Sequence, residues 1–317
     1  MKERYIIMMM AVGLVAGCNS NQDEPEAADN RKTELRIVAG IDMQAEAQAR
    51  SKTRAVETAW EENDKIGVYI TGRNNTTVYT EGGVTAANLE YTFDDGTNYE
   101  TNGNTYRLFT PTKRIYLPSS SVDVYGYYPY TSAEVEPTAF PIDVSTQTSQ
   151  KAIDFMRAKT GNVSNENTRV EMLFYHRLVK LVFNLKQGEG LLPDELKDAT
   201  SLTMKIGGQP VEATYNIYTD AFIVEPSSND IIPVRASSAP TGYVRTFEAI
   251  VLPNGGNNPA GPRTVTITFY RKSDDTIVNT FKIPEATYFT SGYKYTFNVT
   301  VNATSIQVDP LKYTEQW

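Results

Sequence analysis

Apolar residues recur at every second position along much of this chain, while helical spacing is nearly absent, and that period limits what it can fold into. Tyr293, Tyr295, Phe297, Val299 and Val301 fall on one side of an extended segment, with Lys294, Thr296, Asn298, Thr300 and Asn302 on the other. Successive side chains of a strand point to opposite faces, so this pattern predicts a half-buried β-strand. Val265, Ile267 and Phe269 alternate with Thr264, Thr266, Thr268 and Tyr270. A turn signal at Ser273-Asp274-Asp275 and a second extended run follow, so 264–283 reads as a hairpin. Val179, Leu181, Phe183 and Leu185 alternate with Lys180, Asn184 and Lys186, Val182 being the exception. Shorter strand candidates are 34–41, 65–70, 106–109, 122–128, 202–206 and 247–252. Clusters of Gly, Asn, Pro and Ser separate them, as at 226–233 and 253–262, and only 195–197 reads as a helical turn.

Many short strands divided by turn signals argue for an all-β chain of sandwiches or barrels. A single sandwich takes about 100 residues, so the residues from 34 onward suggest two, 34–169 and 170–317. The boundary is set near 170, where a long strand pattern starts at Val170.

The first residues read as an address. Lys2 and Arg4 are followed by an uncharged, mostly apolar run over 5–16. A run of about a dozen residues is too short for a membrane-spanning helix, which needs roughly twenty, and it fits the core of a secretory signal peptide. It ends in Leu14-Val15-Ala16-Gly17-Cys18, the form of a lipobox, so 1–17 reads as a lipoprotein signal peptide and Cys18 as the acylated new N-terminus. A stray or buried cysteine after an ordinary signal is the alternative. Cys18 is the only cysteine, so an exported chain of this kind has no internal disulfide and depends on a packed core. Residues 18–33 are polar and acidic (Gln22-Asp23-Glu24-Pro25-Glu26) and read as a solvated tether. Such a stretch after a lipidated cysteine also resembles the surface-export signal of certain Gram-negative anaerobes.

Chemistry is sparse. His176 is the only histidine, in a strand pattern between Tyr175 and Arg177, and a hydrogen-bonded structural role at a sheet or domain junction suits it better than zinc, which wants several Cys or His ligands. Neither a phosphate-cradling loop nor a dinucleotide fingerprint is present. Asp94-Asp95-Gly96 lacks calcium-loop spacing and reads as a hairpin turn. A net charge of −8 gives no electrostatic case for nucleic acid. Tyr125, Tyr127, Tyr128 and Tyr130 around Pro129 read as core and rim of a strand end, with sugar stacking through Tyr125 or Tyr130 as the weaker alternative. The expectation is a protein that is not an enzyme and needs no metal or cofactor.

Six features then line up in order. They are the lipobox at Cys18; a strand over 34–41 followed by a polar segment with Arg50 and Arg54; Trp60 ahead of Asn63-Asp64-Lys65-Ile66-Gly67-Val68-Tyr69; Tyr125-Gly126-Tyr127-Tyr128-Pro129-Tyr130; Phe174-Tyr175-His176-Arg177-Leu178-Val179-Lys180-Leu181; and Gly292-Tyr293-Lys294-Tyr295. Together they resemble the fimbrillin family, the lipoprotein-derived (type V) pilins of anaerobic Gram-negative gut and oral bacteria. Asn63 departs from the family, which often has Gly there, and should alter a turn only.

The resemblance implies two tandem transthyretin-like β-sandwiches in a structural subunit of a cell-surface fimbria serving adhesion. It implies a lipidated precursor at the outer membrane whose first strand fills its own sheet. A trypsin-like protease would cut after Arg50 or Arg54, so that 34–54 is the removable strand and loop. The emptied groove would take the C-terminal segment of another fimbrial subunit, here 303–313, with Ile306 and Val308 as plugs. Head-to-tail pairing of this kind builds a filament. The segment 46–56 has no apolar pattern and suits an accessible, easily nicked loop, although an unprocessed basic loop reads the same way. Pro310 removes one ladder donor from the proposed donor strand. A non-polymerising tip or anchor of the same fold, and a surface carbohydrate-binding lipoprotein, are the competing expectations; the surface receptor is left open.

Overall fold

Residues 32–42, 59–74, 76–198, 201–225, 228–254, 263–270, 276–284, 287–311 and 314–317 are described by the structure, a computed structural model. Strands dominate them, and the two helices found among them, Gln150–Ile153 and Glu195–Asp198, have four residues each.

In the N-terminal half, seven strands hydrogen-bond into a closed ring. Their order is Met156–Val163, Val170–His176, Ile37–Ile41, Asn104–Pro111, Leu89–Thr101, Lys65–Gly72 and Val122–Tyr128, which returns to Met156–Val163. The resemblance implied a transthyretin-like β-sandwich here; its strands are hydrogen-bonded all the way round. Closure leaves no free sheet edge. It depends on the first strand, which lies parallel to Val170–His176 on one side and antiparallel to Asn104–Pro111 on the other. Leu35, Ile37, Ala39, Ile66, Val68, Ile70, Phe109, Val124, Met172 and Phe174 fill the interior.

One expected turn is absent. Asp94-Asp95-Gly96 lies inside Leu89–Thr101, where the pairing with Asn104–Pro111 shifts register between Phe93 and Asn98. The reversal comes at Asn102 and Gly103, both with positive φ (52° and 78°), and these are the residue types that tolerate left-handed backbone.

The C-terminal half is built mainly of two facing sheets, beside a smaller one that joins Phe140–Asp143, Glu212–Asn216 and Ala221–Val224. One runs Val234–Arg235, Arg245–Val251, Val179–Gln187, Tyr293–Val301 and Ile306–Val308, with Thr314–Gln316 also on Tyr293–Val301. The other runs Ser228–Ile231, Thr203–Pro210, Arg263–Tyr270 and Thr276–Ile283. The alternation read from 293–301 is observed, with Tyr295, Phe297, Val299 and Val301 inside. In Val179–Gln187 two polar residues, Lys180 and Asn184, are covered as well, whereas Lys186 is exposed. Lys180 is paired with Glu248 at 3.1 Å, and Asn184 accepts a 2.8 Å bond from Thr246.

The halves interlock. Val170–His176 belongs to the barrel and Val179–Gln187 to the other sheet, so the chain changes sheets at Arg177 and Leu178. Phe140–Asp143 pairs with Glu212–Asn216. Arg157 donates to the Ile217 carbonyl at 2.6 Å and Arg177 to Asp220 at 2.8 Å. All seven residues of Val122–Tyr128 are buried, because the barrel interior covers one face and the C-terminal core covers Tyr125 and Tyr127 on the other.

Candidate functional site

The ends of the described chain hold its most distinctive geometry. All five residues of Ile37–Ile41 are buried. Beyond the strand ladders, Leu35 N–H donates to the Ile115 carbonyl at 2.9 Å, Val170 N–H to Arg36 at 2.8 Å, and Asp42 N–H to Phe174 at 2.9 Å. Each large apolar side chain buried this way stabilises by on the order of 1.5–3 kcal/mol. Gly40 is needed for the close approach of the neighbouring strand, since a Cβ there would stand 2.7 Å from the Thr105 carbonyl oxygen.

Trp60 clamps this strand. Its Nε1–H donates to the Ala39 carbonyl at 2.9 Å, and its ring meets Phe109, Tyr128 and Phe174 edge-on at 5.1, 5.5 and 5.3 Å. The turn after Trp60 places Asn63 at φ +71°, a conformation that glycine adopts freely and asparagine tolerates, so the departure from the family's glycine is absorbed locally. The buried Asp64 carboxylate then accepts from Glu61 N–H (2.7 Å), Tyr128 O–H (3.1 Å) and Lys151 (2.9 Å). Burial, then the Asp64 charge, push the Tyr128 phenol well above its ordinary pKa. Burial pulls the Lys151 ammonium down, but bonds to Asp64 and Glu61 outweigh it and hold the group charged. A cavity of about 190 Å³ lies here, where the first strand ends, lined by Ile41, Trp60, Asp64, Tyr128, Lys151 and Asp154 among others.

At the other end the packing is looser. Ile306–Val308 runs antiparallel to Tyr293–Val301, with Ile306 opposite Val301 and Val308 opposite Val299. Ile306 and Val308 are half-buried against the C-terminal core and Gln307 is exposed. Asp309 N–H donates to Asn298 at 3.0 Å, Pro310 and Leu311 lie outside any strand, and Thr314–Gln316 pairs with Tyr293–Tyr295. The missing N–H of Pro310 therefore costs no ladder bond. The last residue, Trp317, donates its N–H to the Gly292 carbonyl at 2.7 Å and stacks on His176 at 4.3 Å and 11°.

His176 is 2 % exposed, and its Nδ1 is 2.8 Å from Asp154 Oδ1. Tyr125 is 4 % exposed, packed at 4.9 Å on Tyr218 with Lys159 over its ring, whereas Tyr130 is half-buried in a groove beside Phe140 and Phe155. Among the described residues no group of three or more His, Cys, Asp or Glu could hold a metal, and no helix is long and apolar enough to cross a membrane. Cys18, Arg50 and Arg54 lie outside the described residues, as do 1–17 and most of the tether; the segment 303–313 is described except for 312 and 313.

Sequence reasoning passed over the roles of Trp60 and Trp317. One signal could have found them: they are the only two tryptophans, and each follows an end strand.

A family model described as fimbrillin-like matches residues 53–314. A Bacteroides uniformis protein provisionally named fimbrium subunit Fim1C is 27 % identical over 321 residues, spanning 97 % of this chain and 93 % of that one. A solved structure from B. uniformis ATCC 8492, provisionally described as a cell adhesion protein, superposes with a TM-score of 0.62 at 25 % identity, over 90 % of this chain and 98 % of the other. A second, from Bacteroides ovatus ATCC 8483 with the same description, shares the fold with a TM-score of 0.62 at 19 % identity, over 90 % and 98 % of the two chains.

Proposed function

Because the chain belongs to the fimbrillin-like family, whose members are cell-surface structural proteins and not enzymes, we propose that it is a fimbrial subunit whose precursor carries its first strand as a place-holder. One observation carries this reading. Ile37–Ile41 is buried along its whole length and bonded on both sides, yet it hangs on the rest of the barrel only through 43–58, the segment with Arg50 and Arg54. Removing it would open the barrel along Val170–His176 and Asn104–Pro111 and leave unpaired backbone groups on both. Buried polar groups left unsatisfied cost about 1–3 kcal/mol each, so the opened barrel demands a replacement strand.

The sequence of events then follows. Cys18 is acylated and holds the precursor at the outer membrane. A trypsin-like protease cuts after Arg50 or Arg54, releasing lipid and first strand together. The C-terminal segment of another fimbrial subunit, plugged by Ile306 and Val308, enters the groove by strand addition. The half-buried state of both residues on their own subunit supports this, since they have apolar contact to gain elsewhere. Two β domains in tandem, the barrel and the facing sheets, make up the mature subunit, and the filament serves adhesion.

N-terminal mass spectrometry of the protein from the cell surface tests the proposal. The expected N-terminus is Ser51 or Ala55 without lipid. An acylated Cys18 on the assembled protein would instead mark an uncut anchor.

A further inference from the structure

The last four residues lie where three parts of the molecule meet. Thr314–Gln316 pairs with the start of Tyr293–Val301, Trp317 stacks on His176 at the end of a barrel strand, and Gln316 Nε2 donates to Asp42 Oδ2 at 3.3 Å. Asp42 is the residue at which the first strand leaves the barrel, and its own N–H donates to Phe174 in the strand that ends at His176. The tail of the last strand therefore touches the exit of the first one.

We propose that Trp317 is the catch of a latch. It holds the C-terminal strand on its own subunit for as long as the first strand occupies the barrel. This rests on the reading of both strands as exchangeable, given above.

The setting of the indole is built rather than incidental. Its ring lies nearly parallel to the His176 imidazole, and Lys180 Nζ, itself paired with Glu248 at 3.1 Å, stands 5.8 Å from its centroid. The imidazole is fixed from behind by Asp154. Gly292 brings the carbonyl that Trp317 bonds within reach. Its φ is +77°, and a Cβ there would stand 2.9 Å from the His176 carbonyl oxygen, so any other residue would push the two strands apart at this point.

Coupling to the first strand runs by two routes. Loss of Asp42 removes the partner of Gln316. Loss of Ile37–Ile41 also unpairs one edge of Val170–His176, the strand that carries the imidazole on which Trp317 rests. Along the middle of the last segment the described residues Pro310 and Leu311 lie outside any strand. The catch at its tip therefore governs whether it opens.

Hydrogen exchange on the full, uncut chain tests this without any assembly step. Trp317→Ala should raise exchange at 306–308 and 314–316 about tenfold, Trp317→Phe should keep it near the native rate, and protection of 37–41 should stay unchanged in both. Asp42→Ala should speed the same amides by a smaller factor, about threefold. Native exchange in Trp317→Ala would overturn the latch, and native exchange in Asp42→Ala would overturn its coupling to the first strand. Detergent-resistant ladders from trimmed wild-type chain report the exchange reading separately. Ladders with native exchange in Trp317→Ala would sink the latch and leave that reading standing. Fast exchange with no ladders would do the reverse.

Discussion

The first and last strands of this chain are held in opposite ways. Ile37–Ile41 is bonded along both edges inside a closed ring, every residue buried, with Trp60 bonded to its middle. Ile306–Val308 and Thr314–Gln316 share one edge of one strand, Gln307 is in solvent, and Pro310 and Leu311 lie outside any strand. Local opening is easiest where few apolar contacts and few protected hydrogen bonds must be given up. On this ground opening at the last strand is expected to cost less than opening at the first. A strand meant to be given away should be loose, and a strand meant to reserve a groove should be tight. The two ends differ in that sense.

Substitutions can break or sharpen this contrast. Trp60→Ala removes a buried ring with three aromatic neighbours and the donor to Ala39, and should cost about 3–5 kcal/mol, read as a lower urea midpoint with an unchanged slope. A loss below about 1 kcal/mol would show that the first strand is not clamped. Gly40→Val forces a side chain against the Thr105 carbonyl and should cost about 1–3 kcal/mol in the same measurement. At the other end Ile306→Ala should cost only about 1 kcal/mol, because the side chain is half-buried at an edge. A cost for Ile306→Ala equal to that for Trp60→Ala would erase the difference between the ends.

Much of the fold was legible where packing follows local pattern. The alternation over 293–301 and the run over 122–128 are strands in full, because each covers a whole face of a core. The strand Met156–Val163 (MRAKTGNV) was not legible, since only Met156, Ala158 and Val163 of its side chains reach the barrel core and its neighbours on both edges hold it extended. Barrel closure was equally hidden. It needs Ile37–Ile41 to lie parallel to Val170–His176, a pairing between segments far apart in sequence, and no local periodicity encodes that. Asp94-Asp95-Gly96 misled because a turn-rich composition also suits an irregularity within a strand. The tyrosines of 125–130 invite a sugar-stacking reading when only one sheet is imagined. Tyr127 lies against Phe140 at 4.8 Å, and burial pushes its phenol up to about 12, because the second half of the molecule covers that face. The two tryptophan clamps were visible only as rare residues near chain ends, since their partners come from distant strands.

Whether the first strand is a place-holder is decided most directly by one measurement. Mild trypsin should shorten the folded precursor at Arg50 or Arg54, and the trimmed protein at high concentration should form ladders that resist mild detergent. The same treatment of a chain ending at Asn302 should leave a folded monomer and no ladder. A trimmed full-length protein that stays monomeric would contradict strand exchange, and an undiminished ladder from the shortened chain would contradict the role given to Ile306 and Val308.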